Sequence, residues 1–502
     1  MEFHNPFTNI TFIASFVFIL MIFKIFKRWS SKSSTTNLPP GPWTLPLIGN
    51  IYQIISNSLP HHCFKNLAEK YGPLMHLKLG EISHVIVSSP EMAKEVMKTH
   101  DFTFCDRPSL LLLSILTYNG SDIAFSKYGE KWRQLRKMIV VELLNAKRVQ
   151  SFRSIREEEV SDLVKSIYES EGSVVNLTKM IYSMTYGITG RAAFGKKNQQ
   201  QQVFISAFEK ILIILGGFCI ADLFPSIKIL LERVSSTKTK FEKLCRETDG
   251  ILQDIINDHK NSDKEARDED LVDVLLKLQQ ENKHSENPLT DDNIKSVIQD
   301  LFAAGSETSS STVLWGMSEM VKNPKVMEEA QAEVRRVYGS KGYVDETELN
   351  QLIYLKSVIK ETLRLHPPIP LLVPRESREK CQINGYDIPA KTIVAVNVWA
   401  IGRDPRYWVE AESFKPERFE NSLVDFRGTD FELLPFGAGR RVCPGIIFAI
   451  PNIELPLAQL LYHFDWKLPN GLKNEELNMT EQFGITVGRK HDLCLIPIPR
   501  RA

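Results

Sequence analysis

Residues 436–445 read FGAGRRVCPG, a segment that no regular element accommodates: three glycines, two adjacent arginines and a proline surround one cysteine. Glycines let the backbone turn sharply and pass close beneath a flat neighbour, where a β-carbon would intrude. Pro444 and Gly445 open the apolar run that starts at Ile446, and that run reads as a helix. The free N–H groups at such a helix start point back toward the Cys443 sulfur and favour negative charge on it. The chain therefore has to fold around a tight loop that offers one thiolate to an interior space.

A core large enough for this is available. The chain has 502 residues, 43% apolar and 25% charged, within the range of globular proteins. Its 62 basic and 61 acidic residues nearly cancel, which excludes a polyanion partner such as nucleic acid. The seven cysteines (Cys63, Cys105, Cys219, Cys245, Cys381, Cys443 and Cys494) are scattered singly, without C-x-x-C or framework spacing. That argues against disulfides and zinc. The eleven histidines show no H-x-x-x-H or other metal spacing and read as structural or exposed. There is no Rossmann G-x-G-x-x-G and no flavin motif, so any electrons for redox chemistry come from another protein.

The first residues differ from the rest. Ile10 to Phe26 (ITFIASFVFILMIFKIF) carries one charge and is long enough to span a bilayer with snorkelling flanks. Lys24, Lys27, Arg28 and Lys32 cluster at its carboxyl end, which places the bulk of the chain in the cytosol. The expected organisation is a membrane anchor over 1–29, a linker and proline-rich hinge over 30–45 containing Pro39-Pro40-Gly41-Pro42, and one domain over 46–502. The default membrane is the endoplasmic reticulum.

Apolar spacing of three and four predicts helices over 122–150, 157–168, 202–215, 238–259, 291–320 and 325–337. Alternation over 71–88, broken at Gly80, predicts a hairpin, and short strands follow between 374 and 398. The expectation is a mostly α domain with small β-sheets. Within the longest helix, Ala304, Gly305, Glu307 and Thr308 form A-G-x-E-T, with Thr290 or Asp291 as the cap. Thr308 is expected to bond back to the Ala304 carbonyl and open a bulge there. Glu361 and Arg364, three apart, meet on one helix face that Pro367-Pro368 terminates.

Phe436, Gly439, Arg441, Cys443 and Gly445 stand at the fixed positions of F-x-x-G-x-R-x-C-x-G, which resembles the haem-binding signature of the cytochrome P450 superfamily. Glu361-x-x-Arg364, Pro416-Glu417-Arg418-Phe419, Trp132-x-x-x-Arg136 and the A-G-x-E-T segment resemble further motifs of that superfamily. Phrases such as LPPGPWTLPLIGN, KETLRLHPPIPLLVPRE and NVWAIGRDPRYW are similar to the plant microsomal class, family 71, subfamily D.

The resemblance implies a P450 fold behind a single N-terminal transmembrane helix, with haem b (iron protoporphyrin IX) ligated by Cys443. A thiolate ligand favours O–O cleavage where a histidine would not. It implies haem contacts from Phe436, Gly439, Arg441, Gly445, Trp132, Arg136 and Arg375, and a structural triad of Glu361, Arg364 and Arg418. Thr308 is then expected to steady the reacting oxygen and Glu307 to relay protons to it, with Ala304 and Gly305 shaping the groove.

Positions matching the family's substrate-recognition stretches are strongly apolar: Leu112, Leu113, Leu116, Leu215, Phe302, Ala303, Ile369, Leu372, Val373 and Ile485. Such a lining suits a hydrocarbon-like molecule. The implied function is O2-dependent hydroxylation or epoxidation of a sesquiterpenoid or diterpenoid by a monomeric enzyme. A separate NADPH-cytochrome reductase supplies the electrons, and membrane lipid surrounds the anchor. Lys131, Arg133, Lys137 and Arg440 offer a basic face for that donor. Other readings are an indole alkaloid or flavonoid as substrate, an isomerase or dehydratase that uses no O2, and a non-catalytic haem carrier. The intact Gly305, Glu307 and Thr308 set counts against the last two.

Overall fold

The computed structural model describes residues 36–55, 59–195, 199–216, 219–261, 269–339 and 341–500. The anchor expected over 10–26 lies outside them. The principal helices are α1 (Pro60–Tyr71), α2 (Glu130–Met138), α3 (Arg153–Tyr168), α4 (Leu177–Phe194), α5 (Gln199–Leu215), α6 (Ser236–Asn261), α7 (Leu271–Glu281), α8 (Asp291–Lys322), α9 (Pro324–Tyr338), α10 (Ile353–Leu365) and α11 (Ile446–His463).

Helix α8 is the axis of the molecule. Thr290 caps it: its Oγ1 accepts from the Asn293 N–H at 3.2 Å, while Asn293 Oδ1 accepts from the Thr290 N–H at 3.2 Å. Both ends of this box satisfy amides that a helix start otherwise leaves unpaired. Helix α8 is buried along most of its length, as a core helix must be when four others, α4, α9, α10 and α11, pack around it. Its small residues allow the close approach. A β-carbon at Gly305 would stand 3.2 Å from the Phe448 ring of α11 and 3.4 Å from Thr189 of α4.

One end of the helical body carries a four-stranded sheet of β1 (Leu74–Leu79), β2 (Ile82–Val87), β3 (Arg375–Glu376) and β4 (Ile393–Val396), in the order β1-β2-β4-β3. β1 and β2 are antiparallel and turn at Gly80, whose φ is 62°. β4 runs parallel to β2 and so needs a long crossover, which the helical body supplies. The proline hinge closes on this sheet: the His76 N–H donates to Pro40 O at 2.9 Å. A small hairpin of β5 (Glu481–Gln482) and β6 (Gly488–Arg489) brings the turn over 483–487 against α8.

Two expectations need correction, and two further features lie outside what the spacing predicts. The helix predicted over 122–150 begins only at Glu130, continues as a π-helical turn over Ile139–Leu143, and resumes at Ala146–Ser151. Carbonyls of the stretch before it bond to side chains instead of a helical ladder: Arg107, Trp132 and Arg441 donate to Ile123, Ala124 and Ser126. The bulge expected at Thr308 is absent, because α8 stays α-helical through Ala304–Thr308 while the threonine adds a bond to a carbonyl of the same turn. Helices α4 and α7 have buried faces that the spacing reading passed over. Finally, α11 accommodates Pro451 and Pro456 without ending.

Candidate active site

The cysteine loop is held by its glycines and by the helix behind it. Gly437 and Gly439 have φ of 68° and 69°, a region that favours glycine, and a β-carbon at Gly439 would lie 2.3 Å from Met97 O. Gly445, the residue before α11, donates its N–H to Cys443 Sγ at 3.3 Å. Arg136 Nη2 donates to Val442 O at 2.6 Å. Burial pushes the Cys443 thiol up, while the Gly445 N–H and the Arg136 charge oppose that. A coordinated metal cation is what turns such a buried thiol into a thiolate. Phe436 packs edge-on against Phe426 beside the loop.

Four arginines converge nearby: Arg107, Arg136, Arg375 and Arg441. Arg441 donates to the Cys105, Ile123 and Ser126 carbonyls, and Arg107 to the Ala124, Val373 and Pro374 carbonyls. Arg375 joins Asp101 at 2.9 Å and donates to Ala438 O at 2.7 Å. Trp132 lies under the cluster, with the Arg441 guanidinium 4.2 Å from its ring centroid and Arg136 at 5.5 Å. Burial, then repulsion from Arg441 and Arg375, holds the Arg107 guanidinium below its usual value. Burial likewise brings Arg441 down to about 10. Among the described residues, only Arg375 of the four has an ion-pair partner within 4 Å. The cluster is an excess of buried positive charge, and it fits two carboxylates on the edge of a bound group.

Two buried carboxylates support the loop that Arg107 and Arg441 grip. Asp300 of α8 accepts from the Ile123 and Ala124 N–H groups at 3.0 and 3.2 Å, and Asp122 accepts from the Phe125 N–H at 2.7 Å. Burial raises both acids, Asp122 to about 6 against the nearby Arg441 and Arg107 charges, and Asp122 further raises Asp300.

At the centre of α8, Thr308 Oγ1 donates to Ala304 O at 2.6 Å. Ala304 is exposed in the middle of an otherwise buried helix, so a cleft opens there. Glu307 points the other way, toward α4. It accepts a hydrogen bond from the Tyr186 hydroxyl and lies 3.5 Å from Thr486 Oγ1. Burial raises the Glu307 carboxyl, against the hydrogen bonds from Tyr186, Thr486 and Tyr182.

A closed circuit of contacts joins these parts. Glu307 meets Thr486; the Val487 N–H donates to Pro368 O at 2.8 Å; and Leu372, four residues on, lies against Gly437 in the cysteine loop. Phe448 then returns to Gly305 on α8. Ala303, Ile369, Leu372, Val373 and Ile485 are partly exposed around this circuit, and Leu113 lines a separate cavity of about 440 Å³ between α2 and the start of α8. Leu215 is partly buried against the core. Three expected pocket residues are placed otherwise. Phe302 is fully buried among Phe194, Phe204, Phe208 and Tyr186, and Leu112 and Leu116 belong to the main core. Helical spacing alone cannot distinguish a cleft wall from the core one turn away.

Glu361 and Arg364 form a fully buried bidentate pair at 2.7 and 2.8 Å, and Arg418 joins Glu361 at 3.0 Å. Arg364 also donates to Ala411 O at 2.7 Å. This cluster lies away from the cleft and binds α10 to the 402–418 segment. Sequence reasoning missed Arg107, Asp300 and Tyr186. Arg107 had a readable signal, since an arginine between an acid and a proline just before the apolar run Leu110–Leu113 is a poor candidate for free surface.

A thiol at a helix start, a flanking excess of buried positive charge and an interior cleft together fit a haem: sulfur for the iron, arginines for the propionates. Comparison with known proteins agrees. Residues 39–494 match the Cytochrome P450 family. The chain is 66% identical to cytochrome P450 71D10 of Glycine max, covering all of this chain and 99% of the relative. It is 51% identical to premnaspirodiene oxygenase of Hyoscyamus muticus, covering 97% and 98%, and 53% identical to tabersonine 16-hydroxylase 2 of Catharanthus roseus, covering 98% of each. A zebrafish cytochrome P450 solved with abiraterone superposes with a TM-score of 0.77 at 26% identity, covering 89% of this chain and all of the other. The chain belongs to the cytochrome P450 family, as a monooxygenase of the plant family 71, subfamily D.

Proposed function

We propose that the protein is a membrane-anchored haem-thiolate monooxygenase that hydroxylates or epoxidises an apolar terpenoid, a sesquiterpenoid or diterpenoid, using O2 and NADPH through a separate flavoprotein reductase. The observation that supports this reading is the contact circuit that joins the Cys443 loop to the Ala304–Thr308 stretch of α8 beside partly exposed apolar residues. Premnaspirodiene and 5-epiaristolochene, named in two relatives, are sesquiterpenes, and those apolar residues offer no charge partner for an acid or amine. Cys443 would ligate the iron of a haem b and Arg107, Arg136, Arg375, Arg441 and Trp132 would hold its propionates; the group would supply oxygen activation.

The chain's own groups then position substrate and protons. Thr308 Oγ1 spends its proton on Ala304 O, which leaves its lone pairs to accept a hydrogen bond from the cleft. Glu307 takes a proton at Oε1 beside Tyr186 Oη, and burial keeps that carboxyl protonated to higher pH than usual. Ile369, Leu372, Val373 and Ile485 exclude water and orient a hydrocarbon by shape.

The anchor over 1–29 and hinge over 30–45 place the domain at the cytosolic face of the endoplasmic reticulum as a monomer. Exposed Trp43, Ile55, Ile220, Ile229 and Leu230, around the β1–β2 turn that Leu223 touches, support contact with lipid. The test is to supply microsomes containing the protein and a reductase with NADPH and a panel of sesquiterpenes, diterpenes and indole alkaloids. A singly oxygenated terpene supports the reading, and turnover of an alkaloid alone overturns it. Thr308→Ala should consume NADPH with little product, and unchanged coupling would remove Thr308 from the oxygen step.

A further inference from the structure

His61 and His62 are the only adjacent histidines in the chain. Neighbouring residues on a helix do not face each other. In the first turn of α1, however, both rings aim Nε2 at one oxygen, Glu481 Oε2 of β5, at 2.8 and 2.9 Å. A third imidazole faces the same carboxylate. His366, just past α10, has Nδ1 4.0 Å from Glu481 Oε1, and that nitrogen has no hydrogen-bond partner among the described residues. The other nitrogen of His366 meets Glu319 Oε1 at 2.7 Å, and the ring stacks on Trp315 at 4.1 Å.

His366 Nδ1 and Glu481 Oε1 face each other across 4.0 Å, too far for a hydrogen bond, and a cation ligated by both would close that gap. A carboxylate behind a histidine is also the usual outer support of a metal ligand.

We propose that His61, His62 and Glu481, with His366 as a fourth donor, form a binding site for Zn2+ or a similar borderline divalent transition-metal ion. The three converging ligand atoms already lie within 4.8 Å of one another. Tetrahedral zinc with ligands at about 2.0–2.1 Å sets its donor atoms roughly 3.3 Å apart, so the pairs at 2.8 and 2.9 Å need to open by less than about 0.5 Å.

His61 is buried and Glu481 partly buried, whereas the His62 side chain is 39% exposed and provides the entrance. Trp399 stacks on His62 at 4.2 Å and fixes its ring. Arg403 is the opposing charge beside His61, and Glu412 offsets it at 3.0 Å. The site joins α1 and the end of α10 to the hairpin whose turn carries Ile485 and Thr486. Ion occupancy therefore stiffens one wall of the cleft, a consequence that rests on the proposed function, whereas binding itself does not.

The test is equilibrium dialysis of the purified haem-loaded protein against ZnCl2 at pH 7.5, with bound zinc read by elemental analysis. The wild type should hold one ion per chain at low micromolar free zinc. His62→Ala and Glu481→Gln should each weaken it by at least about tenfold, with an unchanged reduced carbon-monoxide spectrum showing that the fold is kept. His62→Gln serves if either variant loses haem. Binding of equal strength in wild type and variants, or no stoichiometric binding below about 100 μM, would overturn the site whatever the substrate proves to be.

Discussion

Two buried arginine clusters in the molecule are built on different principles. At Glu361 a carboxylate takes two guanidiniums, Arg364 and Arg418, and the remaining donors reach backbone carbonyls. Around Trp132 four guanidiniums converge, and only Arg375 has an ion-pair partner among the described residues. In the first arrangement each guanidinium reaches a carboxylate, and the cluster holds the fold. In the second, three of four guanidiniums have no carboxylate within 4 Å among the described residues, which the carboxylates of a bound group would supply. Buried charge left unpaired costs several kcal/mol, so a cluster of this kind marks a binding site where one whose arginines are all paired does not.

The comparison breaks most visibly at Glu361. Glu361→Gln keeps the shape but leaves Arg364 and Arg418 without their counter-charge, and it should cost about 3–5 kcal/mol, enough to abolish the haem-loaded protein in expression. Recovery of spectrally normal protein would show that the cluster is not a fold determinant. Arg107→Met should do less to the polypeptide, about 1–3 kcal/mol from the three carbonyls it stops serving, because it also relieves repulsion. Its larger effect should be on haem, lost to apomyoglobin about tenfold faster. Equal haem retention would remove Arg107 from the cradle.

The smallest effect is a pH dependence. Asp122 is raised to about 6 in the fold, so its contribution to stability is fully present below its unfolded value and is lost as pH rises through about 6. Asp122→Asn keeps an acceptor for the Phe125 N–H and cannot ionise. It should melt higher than wild type at pH 8, by on the order of 1–2 kcal/mol, and the difference should shrink as pH falls through about 6 toward the unfolded value. A difference independent of pH would mean that packing, not charge, separates the two.

How much of this was legible depended on how local each feature is. The cysteine loop, the β1–β2 hairpin and the Glu361–Arg364 pair rest on residues close in sequence, and their spacing carries the physics. The Arg107 cradle, the Asp300 support of the 123–124 amides and the His61–His62–Glu481 convergence join segments hundreds of residues apart, and no periodicity records such meetings. The segment before Glu130 misled for a related reason, since its carbonyls are taken by Trp132 and Arg441 rather than by its own turns. Phe302 misled differently: one turn of α8 separates a cleft wall from an aromatic core, and both are apolar.

The most direct test of the account is the reduced, carbon-monoxide-bound absorption spectrum of the wild type beside Cys443→Ser. The account predicts a strongly red-shifted Soret band in the wild type and its loss in the variant, since it assigns the iron's thiolate to Cys443. A wild type without the band, or a variant that keeps it, would contradict the assignment of Cys443.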